Sequence, residues 1–391
     1  MSWNKVAVVG AGMTKFGELF DKGWEHLLAE AFLEALGSVD KGMNRSDINA
    51  VYYGTTMGSL MGMELPGGNI VSTLLGLTGI PSTRIENGCP TGSDTFRTAV
   101  LAVASGVYDV ILAIGAEKMR DKSTSEGLLS LASAGHPILF RGGTAPANFA
   151  PQATRHMYEF GTSKEQLAMV AVKNHHNSTF NPKAHFRFEV TIEDVLNSAP
   201  VCTPLKLLDC CPQTDGAAAV IVCRADLADR YSNKPVYAAG FGVGTDYSLW
   251  HEKESFNEFA ATRRAAKQAY AMAGIGPRDI DLAEVHDCFT ITEILTSEDV
   301  GFCEKGEGGR FVETGKSSLT GQIPINPSGG LLSKGHPMGA TGLAQLSELY
   351  WQLREEAGGR QCAIRNGFAL QHNVGATGIG TSVINILTLN R

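Results

Sequence analysis

One short pattern occurs twice in this chain, and that repetition narrows the possible folds more than any other feature. "GCPTGSD" around Cys89 and "GHPMGAT" around His336 share G-[CH]-P-x-G, and each opens a stretch with helical spacing, "FRTAVLAVASG" and "GLAQLSELYWQLR". The correspondence extends upstream. "KVAVVGAGMT" from Lys5 matches "PVYAAGFGVGT" from Pro235 as an apolar strand ending in glycines. The helix-like "HLLAEAFLEAL" and "RRAAKQAYAMAG" then lead to "SDINAVYYGTT" and "RDIDLAEVHDC". Val6 thus corresponds to Val236, Asp47 to Asp279 and Cys89 to His336, at a spacing that widens before the last pair, where "EKGEGGRFVETGKSS" reads as an insertion in the second copy. Self-similarity of this kind means that two like units were built from one plan.

Each copy closes on a buried-strand signature, "GAAAVIVC" at 216–223 and "GIGTSVINIL" at 378–387. Continuous apolar strands alternating with helices predict βαβ units and a mainly parallel sheet covered on both faces. The expected architecture is α/β, with one half formed by 1–119 and 201–232 and the other by 233–391. Residues 120–200 have no counterpart in the second copy and are rich in Gly, Pro, Asn and His, so they read as an inserted loop subdomain that covers a site.

Length and composition fit that plan: 391 residues, 43 % hydrophobic and 19 % charged, suffice for two core-forming units. A net charge of −7 without any dense Lys/Arg block argues against nucleic acid as a partner. There is no apolar run long enough to span a bilayer, the N-terminal run is too short for a signal sequence, and "ILTLNR" lacks an S-K-L type address, so the chain reads as cytoplasmic and off the membrane. Its eight cysteines (89, 202, 210, 211, 223, 288, 303, 362) contain no C-x-x-C pair, which indicates neither zinc nor a disulfide framework. The adjacent pair in "DCCPQ" has the wrong spacing for a metal knuckle, and most of the thiols read as core packing.

Cys89 is different, because "IENGCPTGSDTFR" places it between glycine and proline where a strand hands over to a helix. Unpaired N–H groups and the dipole at a helix N-terminus favour negative charge, so a thiol there is suited to act as a thiolate nucleophile. The second copy holds His336 at the same place, a residue that can exchange protons with that thiol.

"NGCPTGSD", "HDCFT" and "NPSGGLLSKGHPMGATG" together resemble the thiolases over essentially the whole chain, most closely the sterol-carrier-protein type and its archaeal and bacterial acetyl-CoA acetyltransferase-like relatives. The resemblance implies the thiolase fold, two similar halves in a layered α/β/α/β/α sandwich with a loop insertion. It implies acyl transfer between a cysteine and CoA, cleaving β-ketoacyl-CoA or running the reverse Claisen condensation. Cys89 would be the nucleophile and His336 its proton acceptor. The N–H groups of Cys89 and Gly375 would hold one oxyanion, and His336 with His286, directly or through water, the other. "HNVGATG" at 372–378 departs from the Cys-x-Gly of better-known thiolases, and Cys288 in "VHDCFT" would supply the missing acid/base at the substrate α-carbon, as it does in the sterol-carrier-protein type.

CoA thioesters would be substrates, with no cofactor and no metal. The resemblance further implies a homodimer formed near "STRIENGCP" and a small separate subunit bearing an OB-fold and a zinc ribbon. "VAVVGAGMTKFG" lacks the G-x-G-x-x-G spacing and is set aside as a dinucleotide site. Arg141, Arg155, Lys173, His175, His176, Lys183 and Arg187 are available for CoA phosphates, but none is assigned. The apolar "TTMGSLMGMELPGG" could line a larger acyl pocket or simply fill core. Three alternatives remain: a decarboxylating ketoacyl-synthase-like enzyme using Cys89, His286 and His336; a thiolase-like aldolase, which needs no nucleophilic cysteine; and a silent acyl-CoA carrier.

Overall fold

The computed structural model describes residues 5–57, 67–133, 143–375 and 379–391. Among these, nine strands form one sheet: β1 (Val6–Met13), β2 (Ala50–Gly54), β3 (Ser82–Ile85), β4 (Val110–Glu117), β7 (Gly216–Arg224), β8 (Val236–Thr245), β9 (Leu282–Glu284), β10 (Phe368–Gly375) and β11 (Thr381–Thr388). A separate ribbon pairs β5 (Pro200–Cys202) with β6 (Leu205–Lys206). The large sheet runs β3-β2-β4-β7-β1-β8-β11-β10-β9. Outward from the central β1–β8 seam, both halves therefore present their first strand, then their last, then the one before it, then their second. The counterpart of β3 in the second half shrinks to a parallel bridge between Ala283 and Ile325. The seam itself is antiparallel, pairing Ala7 with Tyr237 and Val8 with Val236, which relates the halves by a two-fold rotation.

The expectation of a mainly parallel sheet needs correction. Parallel pairing holds for β2–β3, β2–β4 and β9–β10, but β1–β7, β4–β7, β1–β8, β8–β11 and β10–β11 are antiparallel. The reason is local for β10 and β11: the few residues between Gly375 and Thr381 are too short for a crossover, which permits only a hairpin.

Helix Thr91–Ala104, which follows Cys89, and helix Met338–Arg354, which follows His336, pack together and touch strands of both halves. Helices Trp24–Gly37 and Ala260–Ala273 cover the far faces, giving the α/β/α/β/α layering. Every residue of Met338–Arg354 except Trp351 is buried, as a central layer demands, and among its polar members Gln345, Glu348, Gln352 and Arg354 are hydrogen-bonded inside the protein. The glycines of "VAVVGAG" serve packing: a Cβ on Gly12 would sit 2.4 Å from the Ala35 amide nitrogen, and one on Gly242 in the second copy 2.0 Å from the Ala265 carbonyl oxygen. The excursion expected at 120–200 is largely helical, with Thr124–Ser133, Ala145–Phe160, Lys164–Thr179 and Ile192–Asn197 joined by irregular chain. Its prolines do not prevent this, since Pro146 lies in the first turn of its helix and one internal proline, Pro151, is tolerated.

Candidate active site

The repeated G-[CH]-P-x-G turn has a steric meaning. Gly92 and Gly339, each three residues past Cys89 or His336, lie where the two central helices begin. A Cβ on Gly92 would meet the Gly339 carbonyl oxygen and the Gly342 amide nitrogen, both at 2.9 Å, and one on Gly342 would meet the Ser93 amide nitrogen at 2.2 Å. Backbone thus rests on backbone, and Cys89 and His336 are carried toward each other. Sγ of Cys89 and ring nitrogens of His286 and His336 lie within 4.8 Å of one another.

The turn around Cys89 is braced from behind. Thr91 Oγ1 donates to the Gly88 carbonyl at 2.6 Å and accepts from the Asn87 amide at 2.8 Å, while Thr56 Oγ1 reaches the same carbonyl at 3.1 Å. Glu117, fully buried at the end of β4, ties this region to the other half. Its carboxylate accepts from Thr55 Oγ1 at 2.7 Å, the Thr56 and Met57 amides at 3.0 and 2.9 Å, and the Gly339 amide at 2.8 Å. Burial raises the Glu117 pKa, and these four donors work against that rise. Sequence reasoning missed Glu117, which reads as one more residue of an apolar strand.

The two histidines occupy opposite tautomers. Thr341 Oγ1 lies 3.0 Å from the Pro337 carbonyl, which can take its only proton, and 2.8 Å from His336 Nδ1, toward which it then accepts. His336 therefore carries hydrogen on Nδ1 and a lone pair on Nε2. At His286 the neighbour of Nδ1 is the Asn373 Nδ2 amide at 3.1 Å, which shares its two hydrogens with Gln345 Oε1 and the His372 carbonyl and has no lone pair to offer, so a hydrogen on Nδ1 would face a donor and Nε2 bears it instead. Both Nε2 atoms are buried without a hydrogen-bond partner among the described residues. Burial holds His336 neutral, its pKa pushed down to about 3, and burial together with the nearby His336 and His372 pushes His286 well below the usual histidine range. The rings stand edge to face, 5.0 Å apart at 83°. One base and one donor therefore lie beside one thiol. The same three side chains have metal-like proximity, but a protonated Nε2 on His286 is no ligand, so the donor set does not suit an ion.

A cavity of about 860 Å³ opens onto Cys89, Cys288, His336 and Gly375, with His286 fully buried against His336. Cys288 is buried, 3.8 Å from Thr292 Oγ1, and burial raises its thiol pKa well above the ordinary value. Asp287 turns away from His286. It accepts from the Leu331 and Leu332 amides at 2.6 and 3.3 Å and from Asn174 Nδ2 at 2.7 Å, capping the π-helical turn Gly330–Lys334 that precedes His336. His372 is also fully buried, with Nε2 on Thr262 Oγ1 and Nδ1 on the His286 amide.

Two further cysteines, given no role from the sequence, also line the cavity. Cys210 and Phe289 form an antiparallel bridge, which puts Cys211 opposite Cys288, and the Cys211 amide donates to the Cys288 carbonyl at 2.9 Å. "DCCPQ" alone carries no signal of that cross-strand partner. Of the basic residues offered for CoA phosphates, none that the structure describes lines the cavity: Lys183 bonds Glu34 and the Met13 carbonyl, Lys173 bonds Glu293, His175 the Phe188 carbonyl, and Arg155, His176 and Arg187 also have partners within the chain. Arg141 and residues 58–66 of the methionine-rich stretch lie outside the described residues. Arg120 and His185 do line the cavity, and Met119 and Met338 close on Met57 beside Cys89.

The family model for the thiolase N-terminal domain matches residues 6–226, and that for the thiolase C-terminal domain-like family matches 242–388. The chain belongs to the thiolase family. It is 45 % identical over 383 residues to an acetyl-CoA acetyltransferase of Methanothermobacter thermautotrophicus, covering 98 % of this thiolase and 99 % of that protein. It is 37 % identical over 391 residues to sterol carrier protein 2 of Rattus norvegicus, covering 96 % of this chain and 70 % of the other, which marks it as a member of the sterol-carrier-protein type. Among solved structures, an Ltp2–ChsH2(DUF35) aldolase superposes with a TM-score of 0.86 at 25 % identity, covering 99 % of each chain. This thiolase is an enzyme of the acyltransferase class.

Proposed function

We propose that this thiolase cleaves β-ketoacyl-CoA with CoA, and in reverse condenses two acyl-CoA molecules, through Cys89, His336, His286 and Cys288. The carrying observation is the meeting of one thiol with a lone-pair Nε2 on His336 and a protonated Nε2 on His286. His336 takes the Cys89 proton, and the thiolate adds to the 3-keto carbon. The bond between C2 and C3 then breaks, leaving the acyl group on Cys89 and the electron pair on the enolate of the departing acyl-CoA. Protonated His336 and His286 both donate to the enolate oxygen. A buried, unpartnered N–H costs about 1–3 kcal/mol, and a substrate oxygen would relieve that cost only when bound. Cys288 delivers its proton to the enolate carbon. Its raised pKa keeps the thiol in the acid form that this step requires. CoA then gives its thiol proton to the Cys288 thiolate while its sulfur takes the acyl group from Cys89, whose N–H and that of Gly375 hold the oxyanion, and His336 returns its proton to the departing Cys89.

CoA acts as a substrate here, and the chemistry asks for no further cofactor. The excursion at 120–200 serves as a cover: Ala145, Pro146, Asn148 and Phe149 from its second helix line the cavity. Two features support assembly with further chains. β3 is an edge strand, and Ile70 and Leu74 on the helix beside it are exposed, which suits a homodimer. The similar aldolase carries a DUF35 component, which supports a separate small subunit here. No helix among the described residues is long and apolar enough to cross a membrane, in keeping with a cytoplasmic site of action.

The test is to incubate the purified enzyme with CoA and a panel of β-ketoacyl-CoA thioesters and identify products by mass. Shortened acyl-CoA and an acylated Cys89 are expected. The aldolase reading is favoured by the closeness of the Ltp2–ChsH2 fold. Cleavage that survives Cys89→Ala would select it.

A further inference from the structure

A chain of polar side chains runs through the centre of the molecule and ends on His286. Asn385 Nδ2 donates to Gln371 Oε1 at 2.8 Å, Gln371 Nε2 to Ser93 Oγ at 2.7 Å, Ser93 Oγ to Asn373 Oδ1 at 2.7 Å, and Asn373 Nδ2 faces His286 Nδ1 at 3.1 Å. Gln345 Oε1 accepts from both Gln371 and Asn373, at 2.9 and 2.8 Å. All of these residues are at most 1 % exposed. They come from four elements: Ser93 from the helix after Cys89, Gln345 from the helix after His336, Gln371 and Asn373 from β10, and Asn385 from β11. Gln371, Asn373 and Gly375 alternate along β10, so one face of one strand carries the chain and then reaches Cys89.

The direction of each bond matters more than its strength. An asparagine amide can turn over, presenting either oxygen or nitrogen to a neighbour. Ser93 prevents that. Gln371 fills one lone pair of Ser93 Oγ, and the Ser93 proton is committed to Asn373 Oδ1, which leaves the Asn373 NH₂ group facing the histidine. An NH₂ group facing Nδ1 makes that atom the acceptor. We infer that Ser93 and Asn373 are positioning residues that fix His286 as its Nε2–H tautomer, so that a hydrogen-bond donor stands ready beside the enolate oxygen. Ser93 lies four residues past the nucleophile, so the helix that starts just after the attacking sulfur also sets the proton on the opposite histidine. This inference rests on the proposed role of His286 for its effect on rate, but the tautomer itself can be read without turnover.

The experiment is ¹⁵N NMR of histidine-labelled full-length enzyme, wild type beside Asn373→Asp and Ser93→Ala, with His286→Gln to assign the signal. Each protein is also assayed for acylation of Cys89 by acetyl-CoA and for exchange of the acetyl methyl protons in deuterated water. A carboxylate at 373 accepts where the amide donated, so Asn373→Asp should move the hydrogen to Nδ1, lower exchange by about 10²-fold and leave acylation standing. Ser93→Ala should produce a mixture of tautomers and a smaller loss, and it keeps the test alive should the buried carboxylate prevent folding, which melting curves would reveal. A wild-type His286 protonated on Nδ1, or a tautomer unmoved in both variants, would overturn the inference. A tautomer that moves while exchange stays constant would support the relay and remove His286 from the reaction.

Discussion

The α-carbon of Gly375 faces the sulfur of Cys89 so closely that a methyl group there would sit 2.7 Å from Sγ and 2.6 Å from the Cys89 Cβ. Real Cβ atoms do not approach neighbours at that range, so the smallest side chain at 375 must displace the nucleophile. Gly375→Ala should therefore lower acyl-enzyme formation by at least about 10²-fold, since misplacing a reacting atom by about 1 Å costs that much. Intact mass after mixing with acetyl-CoA reads the effect. Acylation at the wild-type rate would mean that the Cys89 turn has room to yield.

Cys288→Ser separates the two halves of the reaction. A serine hydroxyl does not ionise near neutral pH and so cannot take the α-proton that exchange requires, whereas Cys89 can still be acylated. The expected result is a covalent acyl-enzyme with no deuterium entering the acetyl methyl group in deuterated water. Wild-type exchange in this variant would place the proton donor elsewhere, and not on His372, whose two ring nitrogens are already engaged away from the cavity.

Glu117→Gln tests the tie between the two turns. The carboxylate accepts four hydrogen bonds, and a glutamine amide, with one oxygen and one NH₂ group, must turn a donor against a donor. A loss of about 1–3 kcal/mol in unfolding free energy is expected from the orphaned N–H groups. Because the Gly339 amide opens the helix that follows His336, kcat should fall as well. Urea titration and steady-state kinetics on one preparation measure both.

His372 gives the protein an acid-side weakness that can be isolated. Burial pushes its folded-state pKa down to about 3 from an ordinary 6.5. Between those values the unfolded chain binds a proton that the native state refuses, so stability falls as pH drops below 6.5 and this contribution levels off near 3, at up to about 1.4 kcal/mol per pH unit. His372→Gln removes that dependence. The variant should be less stable at pH 7, yet its deficit should shrink by about 2 kcal/mol by pH 5. A deficit constant with pH would show that His372 titrates normally in the folded protein.

What could be read from the sequence was whatever repeats or alternates. Strand glycines, helical spacing and the doubled G-[CH]-P-x-G turn are local patterns, and they marked Cys89 and His336 as equivalent positions before any contact was known. Contacts between distant segments leave no such mark. Glu117 closes a strand like any buried residue, and only the arrival of Gly339 from the other half shows what its carboxylate holds. Asp287 stands next to His286 in the chain, yet it caps a π-helical turn far along the sequence. The sheet was misjudged as mainly parallel because βαβ spacing describes how a half begins, whereas the direction of its closing strand depends on what connects it.

The glycine crossing beneath the site has one more consequence. Gly92 from one half and Gly339 and Gly342 from the other share a single contact, so the geometry belongs to both copies while the chemistry is divided, thiol on one turn and imidazole on the other. Neither copy holds a working pair alone. A duplicated element usually gives a protein a spare, but this duplication does the reverse: it makes each turn the only support for a side chain that the other half needs, and a lesion in either silences both.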